Sequence, residues 1–262
     1  QGTVTVTVNG SPTITSIGNQ VIPENGNTEA LSFTVSDPNS DEMSFSASSG
    51  NPTLVPNNTA NLTFNTTSGG DGTYTLTVTP AADQTGTANI TLTVDDQRGE
   101  SNSTNTTTFQ VKVNAQPTIT PISDQVIPKN GSTGALSFTV SDSNGDTMAF
   151  SASSDNTTLV PDNPSNLTFS QTTGGDGSYT LTVTPAADEI GTANITVTID
   201  DQQSQSNSTV TETFQLKVNA QPTITSIADR QIQTNQNTGA LSFTVADNNS
   251  DTMAFSASSD NT

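Results

Sequence analysis

The chain has 262 residues, only 29% of them hydrophobic, and 25 acidic against 5 basic residues give it a formal charge of −20. Phosphate recognition needs clustered Lys and Arg, so nucleic acid is excluded as a partner and anionic membrane surfaces are disfavoured. With no Cys, His or Trp, thiol chemistry, Cys/His zinc sites and His-based acid–base or triad catalysis are excluded too, and no apolar run approaches the ~20 residues of a membrane-spanning helix.

Three prolines, Pro12, Pro117 and Pro222, head the same phrase, Pro-Thr-Ile-Thr, at a spacing of 105 residues. The register then holds without insertion: Leu31, Leu136 and Leu241 keep it, as do Tyr74 and Tyr179, and the methionines Met43, Met148 and Met253. Self-similarity at a fixed period marks tandem copies of one module. A unit of this size can bury its own core. The expected units are 1–10, the last strand of a preceding repeat; 11–114, the first full repeat; 115–219, the second; and 220–262, the first part of a third. Thr3–Val8 takes the register of Thr108–Val113, and Thr262 that of Thr157. Both ends therefore read as cuts in a longer polypeptide with further copies on either side.

Along one copy, alternation with period two dominates and no helical period emerges. Thr13–Ile17 opens the module as a strand, and Val21–Ile22 continues it as a split edge strand. Leu31–Val35 and Met43–Ala47 alternate cleanly, and Leu54-Val55-Pro56 reads as a loose stretch. Leu62–Phe64 and Tyr74–Val78 flank Gly69-Gly70-Asp71-Gly72, a hairpin turn signal. Ala88–Val94 is the longest alternating run, and Phe109–Val113 closes the copy. The inward residues are Ile14, Leu31, Phe33, Val35, Met43, Phe45, Phe64, Tyr74, Leu76, Val78, Ile90, Leu92, Val94, Phe109 and Val111. About seven short antiparallel strands in ~100 residues form the pattern of an all-β, Greek-key two-sheet sandwich. The strands are labelled A to G in that order. Every large apolar residue has a place in the alternation, so no cofactor pocket is indicated.

The link between copies is Asn114-Ala115-Gln116-Pro117, repeated as Asn219-Ala220-Gln221-Pro222. It has no Gly/Ser tract and ends on a rigid Pro, which argues for limited hinge motion and an extended head-to-tail array.

The acids gather in loops. The B–C loop carries Asp37-x-Asn39-x-Asp41, Asp142-x-Asn144-x-Asp146 and Asp247-x-Asn249-x-Asp251. The F–G loop carries Asp95-Asp96 and Asp200-Asp201, and the D–E turn adds Asp71 and Asp176. At the opposite end the E–F loop gives Asp83 and Asp188. Stacked head to tail, the Asp83 end of one copy should face the Asp142 and Asp200 end of the next. Ca²⁺ takes six to eight oxygens and suits such a carboxylate cluster. Asp-x-Asn-x-Asp is also an ordinary polar turn, since Asp and Asn are preferred turn residues.

These residues resemble bacterial cadherin-like and Ig-like tandem repeats of large surface proteins. The likeness is carried by Leu31-Ser-Phe-Thr-Val35 with Asp37-x-Asn39-x-Asp41, by Val78-Thr-Pro80-Ala-Ala-Asp83, by Thr87–Asp96 and by Phe109-Gln-Val-Lys-Val113. The resemblance implies Ca²⁺ at domain junctions, held by the B–C acidic pair and an F–G aspartate, which map to Asp142, Asp146 and Asp200. The link departs from that pattern because it carries no acid. One ion, or an ion within the B–C and F–G loops alone, is therefore expected.

Sequons at Asn57, Asn61, Asn89, Asn102, Asn166, Asn194 and Asn207 are little more numerous than this Asn/Ser/Thr-rich composition yields. Lys112 and Lys217 alternate with Val111/Val113 and Leu216/Val218, so they should face solvent, which argues against an intramolecular Lys–Asn crosslink. The expected function is a non-catalytic structural repeat of a long extracellular cell-surface adhesin or fibre, a spacer whose partners are the neighbouring repeats. Two alternatives stand beside it. One is the main subunit of a self-assembling filament, with other copies of the chain as partners. The other is a carbohydrate- or cell-binding adhesive module.

Overall fold

The structure, a computed structural model, describes residues 2–260. Residue 1 of the expected leading segment and residues 261 and 262 of the third unit lie outside the described residues. Among the described residues there is no helix.

The first copy contributes β1 (Thr13–Ile14), β2 (Gln20–Pro23), β3 (Leu31–Ser36), β4 (Met43–Ser49), β5 (Leu62–Phe64), β6 (Ser68–Gly69), β7 (Gly72–Val78), β8 (Gly86–Asp95) and β9 (Thr104–Asn114). The second repeats the set as β10 (Thr118–Ile119), β11 (Gln125–Pro128), β12 (Leu136–Ser141), β13 (Met148–Ser154), β14 (Leu167–Phe169), β15 (Thr173–Gly174), β16 (Gly177–Val183), β17 (Gly191–Asp200) and β18 (Thr209–Asn219). A last pair, β19 (Thr223–Ile224) and β20 (Val245–Ala246), belongs to the third register.

Each full copy is two sheets face to face. In the first, a four-stranded sheet runs β1-β3-β7-β5 and a five-stranded sheet runs β2-β9-β8-β4-β6. The second copy has the same two orders. All pairings are antiparallel except β2 with β9 and β11 with β18, which are parallel. The opening strand is split between layers: β1 pairs with β3, while β2 crosses to the other sheet and pairs with β9.

Alternation puts one face of every strand into a common core, as pleated geometry requires. Phe33, Met43, Leu76, Ile90, Leu92, Phe109 and Val111 are buried, and Ile14, Leu31, Phe64 and Tyr74 pack against them. The rings of Phe33 and Phe45 meet edge to face at 5.7 Å, and those of Phe45 and Tyr74 are tilted to one another at 4.5 Å. Such aromatic pairs add about 0.5–1.5 kcal/mol beyond burial. Phe138, Phe150, Phe169 and Tyr179 repeat the cluster in the second copy.

Four local readings of the sequence change. Leu54 and Val55 are buried core residues in a tight turn, with the Val55 amide donating to Asn51 O at 2.9 Å. The Gly69-Gly70-Asp71-Gly72 segment is no simple hairpin. The chain leaves β5, lays β6 against β4 in the opposite sheet, and returns through the glycines into β7. Gly69 is required there because a Cβ would collide with the Tyr74 hydroxyl, which itself donates to Gly70 O at 2.8 Å. The closing strand β9 starts at Thr104, five residues before the apolar alternation begins, because a run of Thr and Asn carries no hydrophobic period.

Fourth, Thr3–Val8 joins no sheet among the described residues, and Val4, Val6 and Val8 are exposed. A closing strand is held by its neighbours β8 and β2, and the printed sequence holds no counterpart of either for this segment. The third register behaves alike. Its printed residues stop before the counterparts of β16 and β17, so Phe243 and Phe255 stay exposed beside the short β19–β20 pair.

Candidate functional site at the junction between copies

Local geometry builds the acidic loops. In the β3–β4 loop, Asp37 accepts the Asn39 amide on its carboxylate at 2.7 Å, and the Ser40 amide donates to Asp37 O at 3.0 Å. Side-chain capture of the following amides is the ordinary reason Asp opens a turn. Asp71 locks this loop from the side by accepting the Asp37 amide at 2.7 Å. The second copy repeats these bonds with Asp142, Asn144 and Asp176. Where strand β8 ends, Asp95 remains half-buried and accepts the Gln97 amide at 2.8 Å, while the next residue, Asp96, turns inward.

The outcome is one carboxylate trio per full copy. Oxygens of Asp37, Asp41 and Asp96 lie within 4.8 Å of one another, as do those of Asp142, Asp146 and Asp201. Asp95 and Asp200 stand outside these trios, one residue away from the inward position. Asp83 and Asp188 join neither trio. The Asp83 amide donates to the Asn25 side chain at 2.9 Å, and the Asp188 carboxylate is 3.0 Å from Lys129 Nζ. Asp247 accepts the Asn249 amide at 2.8 Å and Asp251 pairs with Lys217 at 2.5 Å, but the register position of the third carboxylate lies beyond the printed sequence.

The link itself enters the site. Asn114, the last residue of β9, is completely buried against the following copy. Its side-chain amide donates to Asp201 at 2.7 Å and to Asn207 Oδ1 at 3.3 Å, and Asn207 donates back to Asn114 O at 2.8 Å. Asn144 closes a second clip, accepting the Ala115 amide at 2.5 Å and donating to Val113 O at 3.1 Å. Gln116 donates to Thr209 O at 2.9 Å. Asn9, Asn39 and Asn102 make the equivalent bonds ahead of the first copy. Ala220 and Asn249 repeat the clip ahead of the third. A four-residue link tied by this many bonds has little freedom to hinge.

Lys112 departs from the solvent-facing expectation. It is 20% exposed and reaches forward to Asp146, with Nζ 2.6 and 2.8 Å from the two carboxylate oxygens. In the first copy Arg98 takes that role, donating through Nε and a terminal nitrogen to Asp41. The Arg98 bond and charge hold the Asp41 carboxyl below the usual carboxylate range despite burial. Burial pushes Asp96 up, but the Arg98 amide, the Asn9 and Ser103 side chains and the Arg98 charge outweigh it and leave it low. The second copy has no arginine, and there burial pushes Asp142 above the usual range, only partly offset by the amides of Asn144 and Asp146.

Two buried acceptors at this junction have no hydrogen-bond partner, Asp142 Oδ2 and Asn114 Oδ1. Asp37 Oδ2 and Asn219 Oδ1 are the corresponding atoms of the neighbouring junctions. Buried polar atoms without partners are rare and costly. The donor set of Asp142, Asp146 and Asp201 is all oxygen, the chemistry that suits Ca²⁺.

Sequence reasoning missed Asn114, Asn207, Lys112 and Arg98. The first two had a findable signal, since Asn9, Asn114 and Asn219 share one repeat position, and Asn102 and Asn207 another. Of the sequon asparagines, Asn61, Asn102, Asn166, Asn194 and Asn207 all donate their side-chain amide within the fold at 2.6–2.9 Å, so these nitrogens serve structure.

No protein-family model matches the chain, and no curated protein is similar to it in sequence. Among solved structures it is similar to a three-Ig I-band fragment of titin and to a Glu-to-Ala variant of that fragment. Each has a TM-score of 0.54 at 12% identity, over 82% of this chain and 68% of that one. Fibronectin(III)-like modules of Clostridium thermocellum CbhA align at 17% identity over 80% of this chain and 94% of theirs, but with a TM-score of only 0.32, too low to carry an argument. The sheet orders and the titin likeness together make this chain a tandem of all-β, Ig-like sandwiches.

Proposed function

We propose that this chain is a non-catalytic spacer within a long extracellular cell-surface protein, an adhesin or fibre, and that a Ca²⁺ ion at each junction fixes the orientation of successive copies. The observation that carries this reading is the trio of Asp142, Asp146 and Asp201, with oxygens within 4.8 Å of one another, at a junction where Asp142 Oδ2 and Asn114 Oδ1 are buried without partners. One of these oxygens comes from each side of the junction, so an ion bound by both would tie two copies together. Like charges this close repel, and a divalent cation removes that repulsion while supplying the missing partner. The Ig-like tandem architecture suits a structural repeat, and the resemblance to bacterial cadherin-like repeats supports the surface location.

Isothermal titration with Ca²⁺ and thermal unfolding with and without chelator test the reading. Binding near one ion per complete cluster, with a higher melting temperature in Ca²⁺, is expected. No heat of binding together with an unchanged melting temperature sinks the metal. Small-angle scattering tests the spacer, which requires an elongated particle and excludes a compact one. Electron microscopy of the native material distinguishes a single-chain stalk from a polymer.

A further inference from the structure

The last aspartate of each Asp-x-Asn-x-Asp motif meets one cation, and the source of that cation changes along the chain. Asp41 is met by Arg98 from its own copy. Asp146 is met by Lys112, and Asp251 by Lys217, each carried on the closing strand of the copy before. The repeat register shows that the two sources replace each other. Gln203 stands at the position of Arg98 in the second copy, and Thr7 stands at the position of Lys112 ahead of the first.

Asp41 and Asp146 are also members of the carboxylate trios. A cation fixed on one of three carboxylates occupies its oxygens and repels a divalent ion approaching the other two. Lys112 holds both oxygens of Asp146, so in this state that residue has little left to offer a metal. A lysine on a flexible four-carbon stem can swing away when displaced, whereas the planar Arg98 fork, held through two nitrogens, is harder to dislodge.

We propose that Lys112 and Arg98 are tethered counter-cations that compete with the divalent ion for Asp146 and Asp41, and so make the metal sites of successive copies unequal. This rests on the metal reading above. The first site is tuned by a residue of its own copy. The second is tuned by the preceding copy, so its affinity depends on whether that copy is docked. Lys112 also latches the junction when no metal is bound, and Ca²⁺ takes the latch over.

The test is Ca²⁺ titration of the full chain at low ionic strength, for the wild type, Arg98→Gln, Lys112→Gln and Lys112→Arg. Removing a unit charge this close should tighten the adjoining site about tenfold or more. Arg98→Gln is expected to tighten one site and leave the other alone, and Lys112→Gln the reverse. Lys112→Arg keeps the charge in a form that is harder to dislodge and should bind no more tightly than the wild type. Because removing Arg98 leaves the buried Asp41 without its counter-charge, the melting temperature of each variant in chelator is recorded beside the titration, so that loss of fold is told apart from changed affinity. Binding within twofold of wild type in both Gln variants overturns the proposal, as does weaker binding in Lys112→Gln. Ca²⁺ binding that emerges only in the Gln variants supports it. Absence of binding in all four proteins overturns the metal reading itself, a different result from unchanged affinities.

Discussion

Asn114 donates its side-chain amide to the Asp201 carboxylate at 2.7 Å, and both are completely buried, although one ends the closing strand of the first copy and the other sits in the β17–β18 loop of the second. The contact makes the two sandwiches energetically dependent. Replacing Asn114 by Ala strips Oδ2 of the buried Asp201 carboxylate of its donor, leaving only the Gln203 amide on Oδ1, which costs about 1–3 kcal/mol. Calorimetry of Asn114→Ala should show the second copy melting earlier, although the substituted residue belongs to the strand of the first.

Asn114→Asp makes a sharper case. It adds a fourth acid to Asp142, Asp146 and Asp201 and removes the donor to Asp201. In chelator this variant should lose more stability than Asn114→Ala. In millimolar Ca²⁺ the order should reverse, because a carboxylate is a better ligand than a methyl group. Melting curves of both variants in the two buffers read this directly.

Gly69→Ala should destabilise the first copy by about 1–3 kcal/mol, the usual effect of forcing extra atoms into a packed site. The Cβ would strike the Tyr74 hydroxyl, and that ring is wedged against Phe45 at 4.5 Å. Gly70→Ala, where a Cβ meets nothing, is the control. Denaturant unfolding should separate the two.

The Lys129 bond, then the Asn130 side chain and the Lys129 charge, hold Asp188 below the usual carboxylate range. A carboxyl lowered on folding contributes stability that is fully present above its unfolded value and is lost as pH falls through its folded value. The loss therefore falls below about pH 4. Carboxyl titration by NMR should place Asp188 low in the wild type and move it up in Lys129→Gln, where the Asn130 bond alone still lowers it. Because the pair is exposed, the effect on overall stability should be small.

The parallel pairing of β2 with β9 joins a strand near the start of a copy to the strand at its end. Pulling the chain by its termini loads those bonds in shear, all at once. Ile22→Ala empties a buried position on β2 and should lower the unfolding force of the first copy. The second copy, clamped by β11 and β18, should keep its own. Single-molecule pulling, with one force peak per copy, resolves the two.

The sandwich was legible because its signal is local: Leu31, Phe33 and Val35 alternate, and so do Ile90, Leu92 and Val94. The start of β9 was not, since Thr104 to Thr108 carry no apolar period. The crossing of the chain through β6 was equally hidden, because a two-residue strand leaves no pattern. In the acidic loops the residue types show which loops carry the acids that the structure clusters, but which of Asp95 and Asp96, or Asp200 and Asp201, turns inward depends on where strand alternation gives way to a loop. For Lys112 the sequence offers only the alternation of its own strand. Alternation correctly put it on the outer face, but that face is where the next copy docks, and strand periodicity carries no information about a neighbouring domain.

The overlap at Asn114 means that the unit of sequence and the unit of structure are out of phase. A fragment cut at Ala115 would hold every strand of the second sandwich, yet it would lack the ammonium of Lys112 and the amide of Asn114. Anyone excising, grafting or shuffling these copies should carry three residues of the upstream neighbour, Lys112 to Asn114, with each one. A foreign module spliced in front of the second copy would have to end on Lys-x-Asn to keep both contacts, whereas the first copy, with Arg98 of its own on Asp41, needs only the Asn.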